Sequence, residues 1–139
     1  MNVIRGISIT LTAGIVALGL AAQAGAYSAP ERARSFYGGI AQTTESFNLE
    51  LVIEDSRLQL LVRDRHNWPL DIRGFGATAL IWRNDGSIEI ELMPGARSAL
   101  SAEGEFLKEG IQRVIVTLHS PGREPVKAWF SAQPKANAT

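Results

Sequence analysis

Few side chains in this sequence could hold a metal ion. Its 139 residues include two histidines, His66 and His119, two methionines and no cysteine. A transition-metal site commonly draws three or four nitrogen or sulfur ligands from the protein. His66, His119 and Met93 lie on separate stretches and could barely furnish one, so His66 and His119 are candidate ligands of a weak copper or zinc site at most. Asp64, His66 and Asp71 fall within one stretch, Asp-Arg-His-Asn-Trp-Pro-Leu-Asp, and in principle supply an acid, a base and an orienting group. Loops collect Asp, Asn and Pro for conformational reasons as well. No nucleophile elbow, His-Glu-x-x-His or phosphate loop accompanies them, and the expectation is a protein that is not an enzyme.

The aromatic residues point elsewhere. Trp82 alternates with Ala79 and Ile81, and Trp129 with Ala128 and Phe130, so both indoles are expected on the outer face of strands whose other face is core. Trp68 lies in the Asp/Pro loop and Tyr37 before a double glycine. Exposed Trp and Tyr are enriched at interfaces. Trp68, Trp82, Trp129 and Tyr37 are therefore the candidate protein-interaction residues, with a cell-envelope protein as the expected partner.

These side chains need a scaffold, and its pattern is β throughout. Phe47, Leu49, Leu51 and Ile53 alternate with Asn48, Glu50, Val52 and Glu54. Leu58, Leu60 and Val62 follow the turn residues Asp55-Ser56. Ala77 to Arg83 and Ser87 to Met93 flank Asn84-Asp85-Gly86, a hairpin signal, with Ile88, Ile90 and Leu92 expected inside and Glu89 and Glu91 outside. A weaker strand is expected from Arg97 to Phe106. Two more, Arg113 to Leu118 and Val126 to Phe130, flank Ser120-Pro121-Gly122-Arg123, which fits a type II turn. Gly74-Phe75-Gly76 is expected to be a bulge or bend. The sum is an all-β antiparallel sandwich, immunoglobulin-like, of about seven short strands, with a small β-barrel as the alternative. Leu51, Leu60, Ile90 and Val116 are the expected core positions.

Fourteen basic and fourteen acidic residues cancel. No basic excess argues for nucleic acid and no acidic run for calcium. The absence of cysteine removes disulfides, thiol catalysis and iron–sulfur clusters.

The N-terminal segment carries one charge, Arg5, then the uncharged run Ile7 to Leu20, then Ala22-Gln23-Ala24 and Ala24-Gly25-Ala26. That is the order of a secretory signal peptide. The run is shorter than the roughly 20 apolar residues that span a bilayer. The expected organisation is a signal peptide at 1–26, a flexible arm at 27–35, the β-domain at 36–132 and a disordered tail at 133–139. The mature protein is expected to be soluble and periplasmic, with no membrane insertion after cleavage.

Several short motifs follow one another along the chain. They are Tyr37-Gly38-Gly39, Leu49-Glu50-Leu51-Val52, Leu61-Val62-Arg63-Asp64, and Pro69-Leu70-Asp71 followed by Gly74 and Gly76. Leu92-Met93-Pro94-Gly95, Ala102-Glu103-Gly104-Glu105-Phe106 and Val126-Lys127-Ala128-Trp129-Phe130 complete the series. In their order and spacing, from Tyr37 to Phe130, the chain resembles a family of small exported bacterial β-domains. These occur alone or appended to periplasmic adaptors of heavy-metal efflux pumps. The resemblance implies a binding or accessory role near metal homeostasis. In that family a His commonly precedes the double glycine and another precedes the Glu-Leu-Val strand, and the pair suits a metal. Tyr37 and Asn48 stand at those positions here, and His66 is displaced by one residue from the family's Asp-His loop. The resemblance thus implies a member with weakened metal ligands.

Intact-mass measurement of the exported protein is expected to show a chain beginning at Gly25 or Tyr27 in the soluble periplasmic fraction. A mass that retains Met1 and pellets with membranes contradicts the signal-peptide assignment.

Overall fold

Alternation with a period of two puts Leu49, Leu51 and Ile53 on one side of a strand, and burial of that side drives the folding of this chain. In the computed structural model, which describes residues 29–106 and 108–132, all three are inside. The expected signal peptide and the expected tail lie outside the described residues. The chain divides between Pro30 and Glu31, and the second unit carries the fold.

Eight strands form one antiparallel sheet: β1 (Ile40–Thr43), β2 (Asn48–Ile53), β3 (Arg57–Arg63), β4 (Gly76–Arg83), β5 (Gly86–Pro94), β6 (Ala99–Glu103), β7 (Ile111–His119) and β8 (Val126–Ser131). Their order across the sheet is β1-β2-β3-β6-β5-β4-β7-β8. A 3-10 turn at Lys108–Gly110 leads into β7, and no helix among the described residues is long and apolar enough to cross a membrane.

Strand β5 joins the two halves of the sheet. It pairs with β4 as far as Leu92↔Ala77 and then passes to β6 at Met93↔Ser101 and Pro94↔Leu100. At the far side β1 comes beside β8, where Gln42 Nε2 donates a 3.0 Å hydrogen bond to the Trp129 carbonyl. The sheet is therefore nearly closed and barrel-like, and its two facing halves enclose the core. Leu51, Leu60 and Val116 are fully buried there, as expected. Phe47 meets Phe75 edge-on at 5.9 Å.

The turns follow the expected chemistry. Arg83 pairs with Gly86 across Asn84-Asp85. Gly122 has φ of 72° as the third residue of its turn, the positive value a type II turn requires, and Arg123 N donates to Ser120 O at 3.3 Å. Gly74 lies in a turn that Phe75 N closes on Ile72 O at 2.9 Å.

Three details differ from the sequence pattern. Strand β1, Ile-Ala-Gln-Thr, is the eighth strand and is too short to show a period. The weak strand expected over Arg97 to Phe106 is confined to Ala99–Glu103, because Arg97 and Ser98 both adopt positive φ, at 61° and 57°, outside the extended region. Ile88 is 43% exposed and Ile90 only half-buried. Their β4 partners Ile81 and Ala79 stay fully buried, but β5 has β6 beside it only at Met93 and Pro94, so toward the hairpin tip β5 lacks a neighbour on its other side.

Burial sets the energetic scale. Leu60→Ala is expected to cost about 2–5 kcal/mol in denaturant unfolding. Ile88→Ala, on the same period-two face as Leu92 but in solvent, is expected to stay within about 0.5 kcal/mol. Equal losses at the two positions contradict the packing described.

Candidate functional site

The outward side chains of β2 and β3 are the mixed set Asn48, Glu50, Val52 and Gln59, Leu61, Arg63, in register as Asn48↔Arg63, Glu50↔Leu61 and Val52↔Gln59. An outer face of a barrel normally meets water, and the polar members invite that expectation. Here Asn48 and Glu50 are buried, because the segment from Glu31 to Gly39 lies along them. The expected arm is hydrogen-bonded to the barrel at several points. Glu31 N donates to Arg65 O at 2.7 Å, Ala33 N to Thr43 Oγ1 at 2.7 Å, and Asn48 Nδ2 to Glu31 O at 2.8 Å.

Glu50 is the centre of this contact. Its carboxylate accepts hydrogen bonds from Phe36 N at 2.9 Å, Tyr37 N at 2.8 Å, Gly39 N at 2.9 Å and Ser35 Oγ at 3.2 Å. Arg63 Nη1 stands 3.5 Å away as its counter-ion, and the Arg63 guanidinium lies 4.2 Å from the Phe36 ring centre and 5.8 Å from that of Tyr37. Burial alone pushes the Glu50 carboxyl up. The three amides and the Ser35 hydroxyl more than offset it, leaving the group below its ordinary value. Gly39 is required for this approach: a Cβ there would sit 2.4 Å from the Leu51 carbonyl oxygen.

Beside the clasp the outer face stays open. A groove of about 430 Å³ runs over β2, β3 and β6, with Val52, Leu61 and Ala99 among its lining residues and Tyr37, Gln59, Arg97 and the Glu54–Arg57 pair supplying the polar groups. A smaller cavity of about 150 Å³ adjoins it and shares Tyr37, Leu61 and Arg97. Arg97 is carried by the strained β5–β6 loop. That loop is held by Ser98 Oγ on Leu70 O, by Val62 N on Ser98 O at 3.1 Å, and by Ala99 N on Ala96 O at 3.1 Å.

The residues expected to do chemistry are distributed differently. Tyr37 lines the groove and is 51% exposed. Trp68 is exposed in the β3–β4 loop. Trp82 and Trp129 are exposed on the outer face of β4, β7 and β8, in adjacent rows Trp82↔Arg113↔Ser131 and Leu80↔Ile115↔Trp129, with the Arg113 guanidinium 5.7 Å from the Trp82 ring. The four aromatics thus belong to three places.

His66 lies in the turn after β3 and His119 ends β7, while Met93 is exposed on β5. Among the described residues no group of three or more His, Cys, Asp or Glu is placed to hold a metal. Asp64 spends one carboxylate oxygen on the amides of His66 at 2.8 Å and Trp68 at 3.0 Å. Asp71 is held at about 2 by hydrogen bonds from the Arg73 guanidinium, so it is a fixed anion rather than a proton carrier at neutral pH.

Sequence reasoning missed Glu50, Arg63 and Arg97. The available signal for the first two was a Glu and an Arg on adjacent strands at positions that read as solvent-facing. Comparison with protein-family models, with curated proteins and with solved structures finds no match.

A carboxyl whose value is lowered on folding contributes stability above its unfolded value, and that contribution is lost as pH falls through the folded value. The amide resonances of Phe36, Tyr37 and Gly39 are therefore expected to titrate together, with a midpoint below the ordinary 4.5. Glu50→Gln should abolish that titration and destabilise by about 3–5 kcal/mol, since it leaves Arg63 without its partner. Independent midpoints for the three amides contradict a single clasp.

Proposed function

We propose that this chain is an exported, soluble domain of the periplasm that binds a ligand or partner without transforming it, with the groove over β2, β3 and β6 as the binding site. The observation that carries this reading is the composition of the groove: a mainly polar lining that includes Tyr37, Gln59 and Arg97, the Glu54–Arg57 pair at 3.1 Å, and Val52, Leu61 and Ala99 as its apolar members. Polar groups placed this closely fix the orientation of a ligand, with the apolar members meeting the rest of it. Elsewhere one oxygen of Asp64 is engaged by backbone amides of its own loop, and Asp71 by Arg73.

The proposed link to heavy-metal homeostasis rests on the motif resemblance. At the two positions where that resemblance places histidines, Tyr37 N is bonded to Glu50 and Asn48 Nδ2 to Glu31 O and Asn67 Oδ1. The adjoining Arg63 already neutralises Glu50, and a second cation there would be repelled. The role proposed is an accessory one, with weak copper or zinc affinity. A second reading, a protein-interaction subunit of an envelope complex, is favoured by the exposed Trp82 and Trp129 on the wall formed by β4, β7 and β8.

Photo-crosslinking in the producing cell separates the two. With p-benzoylphenylalanine at the Gln59 position, in the groove, a periplasmic adduct is expected. With the same group at the Glu89 position, on the outer face of the β4–β5 hairpin, none is expected. Intact mass then distinguishes a small ligand from a protein. Adducts only at Glu89, or at both positions alike, overturn the groove assignment.

A further inference from the structure

Among the residues that line the groove the charges do not balance, although Glu103 lies just beyond it, opposite Arg57. Glu54 pairs with Arg57 at 3.1 Å and Glu50 with Arg63 at 3.5 Å, while Arg97 makes no hydrogen bond or ion pair among the described residues. The Tyr37 hydroxyl and the Gln59 carboxamide line the same groove, likewise with no partner among the described residues. One unmatched guanidinium, a phenol and an amide thus share the lining with Val52, Leu61 and Ala99, the last two nearly buried.

The position of Arg97 is not that of a cation on a slack loop. Arg97 and Ser98 are consecutive non-glycine residues with φ of 61° and 57°, a conformation that costs energy at each position. Hydrogen bonds from Ser98 Oγ to Leu70 O, from Val62 N to Ser98 O and from Gly95 N to Ala99 O hold the backbone in it. The result is an Arg97 that lines both the groove and the adjoining smaller cavity. Order established before binding lowers the cost of binding.

We propose that this groove binds an organic carboxylate with an apolar body. The Arg97 guanidinium takes the carboxylate through its planar fork. Tyr37 and Gln59 supply the flanking hydrogen bonds, and Leu61 and Val52 receive the apolar part. A volume of about 430 Å³ suits a small organic molecule or the last residues of a peptide. The charge favours a monoanion over a phosphate dianion, because the other lining cation among the described residues, Arg57, is already paired with Glu54, which a second negative charge would face. This inference rests on the binding role proposed for the groove. The carboxylate has two possible sources, a free acid and a peptide C-terminus.

The test is amide-resolved NMR titration of the protein purified in the form that cells accumulate. The probes are hexanoate and acetyl-Ala-Ala-Leu, each beside its neutral carboxamide. Saturable shifts at Leu61, Arg97, Ser98 and Ala99 are expected for the acids, with the amides weaker by about tenfold or more. The acid that binds more tightly identifies the source. Arg97→Gln is expected to weaken the acids by about tenfold and to leave the amides unchanged, with Arg97→Lys in between. The acid–amide comparison on the unaltered protein needs no variant and stands if Arg97→Gln fails to fold. Equal binding of acid and amide overturns the proposal, as does acid binding that Arg97→Gln leaves intact, or no saturation by either acid up to about 10 mM. A groove-specific crosslink together with any of these results keeps the binding role and removes the carboxylate from it.

Discussion

The carboxylate of Glu50 belongs to the outer face of the sheet and is nonetheless withdrawn from water, because the backbone from Ser35 to Gly39 wraps its own donors around it. A buried ion is tolerable only if its lone pairs are satisfied and its charge is met. Three amides, one hydroxyl and Arg63 meet both conditions. Most of what surrounds the groove follows from that arrangement. It fixes Tyr37 at the groove, sets Phe36 beneath the Arg63 guanidinium, and turns a second face of β2 into interior. The same strand therefore has a core on each side, an apolar one within the barrel and an ionic one beneath the arm.

That double burial explains what the sequence could and could not disclose. Asn48 and Glu50 alternating with Leu49 and Leu51 carry the period of a half-exposed strand, and the period correctly identifies β2 and its inward face. Whether a polar face meets water depends on a segment ten or more residues earlier, and no local pattern encodes that. The hairpin turns were legible because Asp85-Gly86 and Pro121-Gly122 impose backbone geometry through their own chemistry. The exposure of Ile88 was not, since the alternation continues along β5 beyond the point where β6 pairs with it. Arg97 gave no signal at all: its positive φ is imposed by hydrogen bonds from Ser98, Val62 and Ala99, and an Arg is not a residue that announces such a turn.

The candidate chemistry read from residue types shifts accordingly. Loop carboxylates that resemble an acid–base set serve the loop itself, with Asp64 capping backbone amides and Asp71 tied to Arg73. The aromatic residues divide between the groove, a loop and a separate wall. On that wall Leu80, Ile115 and Trp129 lie directly opposite one another across three strands. Two surfaces of different character therefore coexist on one small barrel: a concave one beside unmatched positive charge and a broader one carrying two indoles.

The seam between β1 and β8 has a consequence for how the barrel forms. The pairs β2–β3, β4–β5 and β7–β8 are joined by short turns and need little loop closure. Strand β1 meets β8 only across nearly the whole domain, and Gln42 on Trp129 is a side-chain bond where a barrel would have a backbone ladder. Long-range contacts of this kind are entropically costly and form slowly. Topology therefore favours a polarised assembly, in which the hairpins form locally before the two chain-distant strands meet. The first and last strands finish as neighbours, so a joint between them would turn the most sequence-distant contact of the barrel into a local one.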